Sequence, residues 1–301
     1  MQFLIMSERR GAHMRDYVIF TDSGCDIPGS TLENWGVKTV DLMFCADGTE
    51  RELRQSDIPV KEFYDSMRAG TVFRTSAANS ESLKNAFEPV IKKGLDILYV
   101  CFSSGLSGTA DTAKLTAKEL MALYFPAKVI VVDTLCASGG EGLILRHAVD
   151  AKAKGADIEG AAAKVLEISP KLCHWFTVDD LVYLKRGGRV GAAAAFFGGI
   201  LNIKPVLHVD DNGHLIPMFK VRGRINSIKG IMKKYRETAI DPEHGVYFIS
   251  HGDCIEDARK LESMIVNEFG NHAALITDIG PVIGAHSGPG TLALFFLGKE
   301  R

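Results

Sequence analysis

Through the first half of the chain, short apolar runs alternate with longer amphipathic stretches. Tyr17 to Thr21 is apolar and ends in the polar turn Asp22-Ser23-Gly24-Cys25-Asp26. Leu95 to Cys101 repeats the form and ends in Ser103-Ser104-Gly105, and Lys128 to Val132 ends in Asp133-Thr134. A stretch that reads as helix follows each run: Ser30 to Trp35, Thr109 to Leu123 and Gly139 to Ala153. Strands alternating with helices predict a parallel sheet with helices on its faces. Ligands of such sheets collect outside the carboxyl ends of the strands. All three polar turns fall on that edge.

The pattern changes after about residue 170. Lys204 to Val209 and His214 to Val221 flank Asp210-Asp211-Asn212-Gly213, and Asn-Gly between apolar runs signals a hairpin. Helices are expected over Ile225 to Tyr235 and Ile255 to Phe269, and strands over Val246 to Ser250 and Ala273 to Asp278. The expected organisation is a loose or tag-like tail over 1–15, an N-terminal parallel-sheet α/β domain over 16–170, and a C-terminal α+β domain over 171–301. The boundary lies around Ser169-Pro170; in the alternative, Ala161 to Ile168 belongs to the second half.

Composition narrows the classes. With 301 residues, 46% of them hydrophobic, the chain can build its core without a metal or disulfide staple. A formal charge of -2 gives no global positive field, which argues against a nucleic-acid partner. None of the six cysteines is at CxxC spacing; they read as small core residues in a reducing cytoplasm. The longest apolar run, Val190 to Leu201, has twelve residues where a membrane span needs about 20. It reads as a buried helix, so no integral membrane segment is expected. Met1 to Arg15 lacks the apolar core of a secretory signal.

Three stretches concentrate small hydroxyl residues, the last two beside glycine: Arg74 to Ser80, Ser103 to Thr109 and His286 to Thr291. Hydroxyls and loop amides donate to oxygen anions, and a helix N-terminus adds partial positive charge. Taken singly, such a stretch reads first as a helix cap, and a lone histidine first as a satisfied core residue. Three of them together point to a site for a carboxylate or phosphate. Lys185-Arg186-Gly187-Gly188-Arg189 is the densest basic spot. It reads equally as a solvated turn after a helix or as an exposed docking point for an acidic partner or a phosphate.

The chain has no GxxxxGK[ST] phosphate loop, no GxSxG elbow and no HExxH. Gly288-Pro289-Gly290 with Ala293 mimics a dinucleotide fingerprint, but so near the C-terminus it cannot open a βαβ unit.

The ordered motifs resemble the DegV family. They are Thr21-Asp22-Ser23-Gly24-Cys25-Asp26-Ile27-Pro28, Arg74-Thr75-Ser76, Ser103 to Thr109, Val132-Asp133-Thr134 with Ala137-Ser138-Gly139, Leu184 to Arg189, Leu201 to Pro205, and His286 to Gly290. Together they span about Val18 to Gly298. The resemblance implies two domains with one long-chain fatty acid, such as palmitate or oleate, between them. It also implies the lipid-binding subunit of a bacterial fatty acid kinase, which presents the acyl carboxylate to a separate ATP-binding kinase subunit and has no catalytic residue, metal or cofactor of its own. Carried over by motif, Thr75 and Ser107 would hydrogen-bond the carboxylate, with Ser76 and Ser104 in the same loops. His286 would lie close by, and Arg189 would face the kinase. Where the family commonly reads Thr-Ser-Gln-Pro, this chain has Thr75-Ser76-Ala77-Ala78 and loses a stiffening proline. Val190 to Leu201 is a candidate tunnel lining. The alternatives are an acyl ester or thioester hydrolase using Ser107 and His286, and a lipid-storage or regulatory protein without a kinase partner.

Overall fold

The structure is a computed structural model that describes residues 15–189 and 202–301. The expected tail, apart from Arg15, and the candidate tunnel segment Val190 to Leu201 lie outside the described residues.

In chain order the first half forms β1 (Tyr17–Asp22), α1 (Gly29–Asn34), β2 (Lys38–Val40), β3 (Met43–Ala46), α2 (Val60–Arg68), β4 (Phe73–Ser76), α3 (Ser80–Ile91), β5 (Asp96–Cys101), α4 (Thr109–Leu123), β6 (Val129–Asp133), α5 (Gly139–Ala153) and α6 (Ile158–Ile168). The second half continues with β7 (Leu172–Thr177), α7 (Val182–Arg186), β8 (Ile203–Val209), β9 (Leu215–Arg222), α8 (Arg224–Thr238), β10 (Tyr247–His251), α9 (Ile255–Phe269), β11 (Leu275–Asp278), α10 (Pro281–Ser287) and β12 (Leu292–Leu297).

Strands β2-β1-β5-β6 make an all-parallel sheet. β5 is buried along its whole length, as a strand covered on both faces must be. Strands β11-β10-β12-β7-β8-β9 make a second, mixed sheet. Only β10 and β11 pair in parallel there; the remaining neighbours are antiparallel. β8 and β9 form the hairpin that Asn212-Gly213 signalled. A mixed α/β architecture with a parallel first sheet is thus the observed fold class. A separate ribbon of β3 and β4, with α2, was not anticipated. These elements are short, and Thr75 pairs with Phe44 across the ribbon.

One core cluster joins the two sheets. It runs from Ile19, Leu98 and Val132 through Leu143, Ile144 and Leu145 to Phe176, Leu207 and Phe295. Helix α5 is its axis and packs against β1 and β5 on one side and against β7, β10 and β12 on the other. Residues 139–145 are all buried, so these first two turns or so have no solvent face. Two further clusters cover the outer faces of the sheets.

Burial on every side predicts sensitivity to cavity formation. Ile144→Ala, in a fully buried position, should cost about 2–5 kcal/mol in urea unfolding. Leu123→Ala, on the exposed end of α4, should change stability by no more than ~0.5 kcal/mol. Equal effects would mean that α5 is not the structural axis.

Candidate functional site

A cavity of about 150 Å3 opens where the carboxyl edge of the parallel sheet meets the second sheet. Leu42, Phe102 and Ala137 follow β2, β5 and β6 and reach it from one side; Phe176, Val209, Leu215, Ala293 and Phe295 reach it from the other. Most of its wall is apolar. Arg189 is the only formally charged side chain among the described residues that line it.

The polar groups gather from four separate elements. Thr75 stands on β4, and its Oγ1 is 2.7 Å from Nε2 of His286, on α10. The imidazole is pushed down to about 4, first by burial and then by the charge of Arg189. His286 is therefore neutral at pH 7. Its Nδ1 is buried without a hydrogen-bond partner and packs on Gly187, where a Cβ would come within 2.1 Å of that nitrogen. Glycine at 187 is thus a packing requirement of the site.

Ser107 lies in the loop between β5 and α4. Its Oγ accepts from the Thr109 amide at 3.3 Å and shares a 2.9 Å hydrogen bond with Thr109 Oγ1. Thr109 Oγ1 in turn accepts from the Ala78 amide at 3.2 Å, which ties the hydroxyl loop before α3 to the one before α4. The hairpin tip closes over this loop. Ser103 Oγ donates to the Gly213 carbonyl at 3.0 Å, and a Cβ on Gly105 would sit 2.6 Å from the Asn212 carbonyl.

Of the residues expected from sequence, Thr75, Ser76, Ser107, His286 and Arg189 all line the cavity. Two expectations need correction. Ser104 is exposed and absent from the lining; its amide donates to Asp133 Oδ1 at 3.1 Å and turns it outward. Arg189 is not an exposed charge. It is half-buried, burial lowers its pKa, and its guanidinium donates to the carbonyls of Leu106 at 3.2 Å and Gly187 at 2.5 Å. Lys185 and Arg186 of the same turn are the exposed cations. Ser107 and His286 are engaged with Thr109 and Thr75, not with each other, and His286 Nδ1 has no acid behind it. The pairing that a serine hydrolase would need is not formed.

Sequence reasoning missed His174. It placed Thr109 and Ser287 in hydroxyl stretches but did not single them out as site residues. Ser287 and His174 line the cavity, and each has a buried polar atom without a partner. No spacing signal marked His174, which strand pairing brings to the wall.

No helix among the described residues is long and apolar enough to cross a membrane, and no cluster of metal-ligating side chains is present among them. The family model that matches is DegV, described as an uncharacterised protein family, over residues 16–299. A DegV domain-containing protein of Clostridium perfringens is 41% identical over 289 residues, covering 96% of this chain and 99% of the relative. A DegV lipid binding protein of Thermotoga maritima is similar in structure with a TM-score of 0.81 at 31% identity, covering 95% of this chain and 99% of that one. A fatty acid binding DegV family protein of Thermus thermophilus aligns with a TM-score of 0.85 at 28% identity, covering 94% and 99%. A stearic acid-binding protein of Eubacterium ventriosum aligns with a TM-score of 0.86 at 25% identity, covering 94% and 98%. With the family matched over nearly its whole length, this chain belongs to the DegV family.

Proposed function

We propose that the chain is a carrier in the cytoplasm that holds one long-chain fatty acid in this cavity, carboxylate toward Thr75, Ser107 and Arg189, and presents it to a separate kinase subunit. In this reading two domains, divided near residue 170, meet around the ligand. The observation that carries the reading is an apolar cavity whose described wall holds one cation, Arg189, and the hydroxyls of Thr75 and Ser107. A long apolar chain needs such a wall, and a buried carboxylate needs such partners.

The hydrogen-bond directions support it. With its proton on Nε2, the neutral His286 donates to Thr75 Oγ1 and leaves the threonine's own proton for the carboxylate. The Ala78 amide donates to Thr109 Oγ1, and when Thr109 in turn donates to Ser107, the Ser107 proton is likewise free. In that arrangement both chains of donors end at the cavity. Arg189 supplies the opposite charge, with its orientation fixed by two carbonyls. The relatives named for lipid, fatty acid and stearic acid binding point the same way.

The kinase rests on the family resemblance and on the exposed Lys185 and Arg186 beside the carboxylate end. In this reading the chain itself contributes binding and no chemistry; Ser107 and His286, the candidate nucleophile and base, are bonded to Thr109 and Thr75 and not to each other.

Protein purified from a bacterial host should release about one fatty acid per chain on denaturation, measured by mass spectrometry. Absence of lipid, together with no uptake of added palmitate or oleate, would overturn the reading. Thr75→Val combined with Ser107→Ala should weaken binding by more than about tenfold, since each hydrogen bond to a charged group is worth ~1.5–3 kcal/mol. Because Arg189 lines the cavity, Arg189→Ala should lower lipid occupancy as well as acyl-phosphate formation with a cognate kinase. Arg189→Lys should recover only part of both, because lysine lacks the rigid fork. Full occupancy with lost phosphorylation would make Arg189 a partner contact alone.

A further inference from the structure

The turn from Asp22 to Asp26 takes no part in the chemistry above, yet its last carboxyl lies where the two halves of the chain meet. Asp26 is buried and holds a backbone φ of 54°, in the left-handed region. Three hydrogen bonds converge on it. Ser138 Oγ donates to Oδ2 at 2.5 Å, the Gly280 amide donates to Oδ1 at 2.9 Å, and Thr277 Oγ1 donates to the main-chain carbonyl at 3.1 Å. Ser138 lines the cavity immediately before α5, with an unusual φ of 55° of its own. Gly280 immediately precedes α10, which carries Val282, Ile283, His286 and Ser287 on the cavity wall. Gln55 reinforces the junction: its Nε2 donates to the Ser23 carbonyl at 2.5 Å, and its Oε1 accepts from the Val282 amide at 3.3 Å.

We propose that Asp26 is the positioning residue that clasps α10, and through it His286 and Ser287, against the Ser138 wall of the cavity, so that ligand affinity depends on this carboxyl. The proposal rests on the fatty-acid reading of the cavity and extends it to a residue that does not line the site.

The titratable groups facing Asp26 are all acids. Asp22 and Cys25 come from its own turn, Glu141 from α5, Asp278 from β11 and Tyr64 from α2. Burial, helped by the charges of Asp278 and Asp22, pushes Asp26 up to about 8, against the pull of its two side-chain hydrogen bonds. The clasp is therefore a neutral acid at pH 7. A raised carboxyl favours folding fully below its unfolded value near 3.8, and that contribution is lost as pH climbs to about 8. Asp22, raised to about 6, and Glu141, raised by the same burial, act in the same sense. The diagnostic quantity is accordingly a difference between variants. Asparagine keeps an acceptor for the Gly280 amide and a polar partner for Ser138, and it never ionises.

The test compares wild type, Asp26→Asn and Asp26→Ala by palmitate and oleate titration, by thermal unfolding between about pH 6.5 and 9, and by hydrogen exchange at the α10 amides. Asp26→Asn should bind within about threefold of wild type at the lower pH and lose less affinity and stability on going to the higher one. Asp26→Ala should bind about tenfold more weakly or worse, with faster exchange in α10. Wild-type affinity in the alanine variant overturns the proposal, as does an asparagine variant as weak as alanine or with the full wild-type pH response. Should Asp26→Ala fail to fold, the pH response of Asp26→Asn decides alone. Should wild type bind no fatty acid, the ligand reading falls. The clasp is then judged by α10 exchange in the ligand-free variants, where unchanged protection in Asp26→Ala overturns it.

Discussion

The complete burial of the first turns of α5 is the constraint on which the rest of the structure depends. Residues 139–145 find apolar neighbours on both sheets, so neither sheet can withdraw without exposing them. The two sheets are thereby held face to face across a single helix, and the edge where their strand ends meet becomes a cavity. Glu141 is buried in the same turn, where it accepts from Thr21 Oγ1 at 2.8 Å. Burial pushes its carboxyl well above the usual range, which avoids an unpaired charge in the core.

The cavity wall follows the same economy of charge. A negative charge next to Arg189 would cancel its attraction for an anion, and a second positive one would be repelled by it. His286 is kept neutral by burial and by that same arginine, so it serves the site as a hydrogen-bonding ring and not as a cation. Hydroxyls do the remaining work because they can accept from one neighbour and still donate to a ligand. Two of the cavity hydroxyls are held from behind, Thr75 by His286 and Ser107 by Thr109.

Some of the site was legible residue by residue. Thr75, Ser76, Ser107, His286 and Arg189 stand in hydroxyl-rich or basic motifs that an ordered reading of the chain picks out, and all five line one cavity. Ser104 has the same composition signal as Ser107 but faces solvent. A loop's residue types do not say which of two neighbouring hydroxyls points inward. Asp133 decides that by accepting from the Ser104 amide. The exposure of Arg189 was misjudged for a related reason: a glycine pair set among cations suggests a solvated turn until the carbonyls of Leu106 and Gly187 capture the arginine.

By itself the sequence determined the elements whose patterns are local: β1, β5, β6, α4, α5, α9 and the Asn212-Gly213 hairpin. Period, turn chemistry and the Asp22–Asp26 motif are properties of neighbouring residues, and they mark out a parallel sheet with polar loops along one edge. Only the tertiary structure decided what those loops meet. Thr75 and His286 are 211 residues apart and Asp26 and Gly280 are 254 apart. Such pairs carry no spacing signal, because the chain between them folds independently of the contact. His174 and Ser287 became cavity residues through strand pairing and helix placement, and the short ribbon of β3 and β4 sets Thr75 opposite Phe44. Local physics fixed the pieces, and long-range burial fixed which of their polar groups would share one enclosed space.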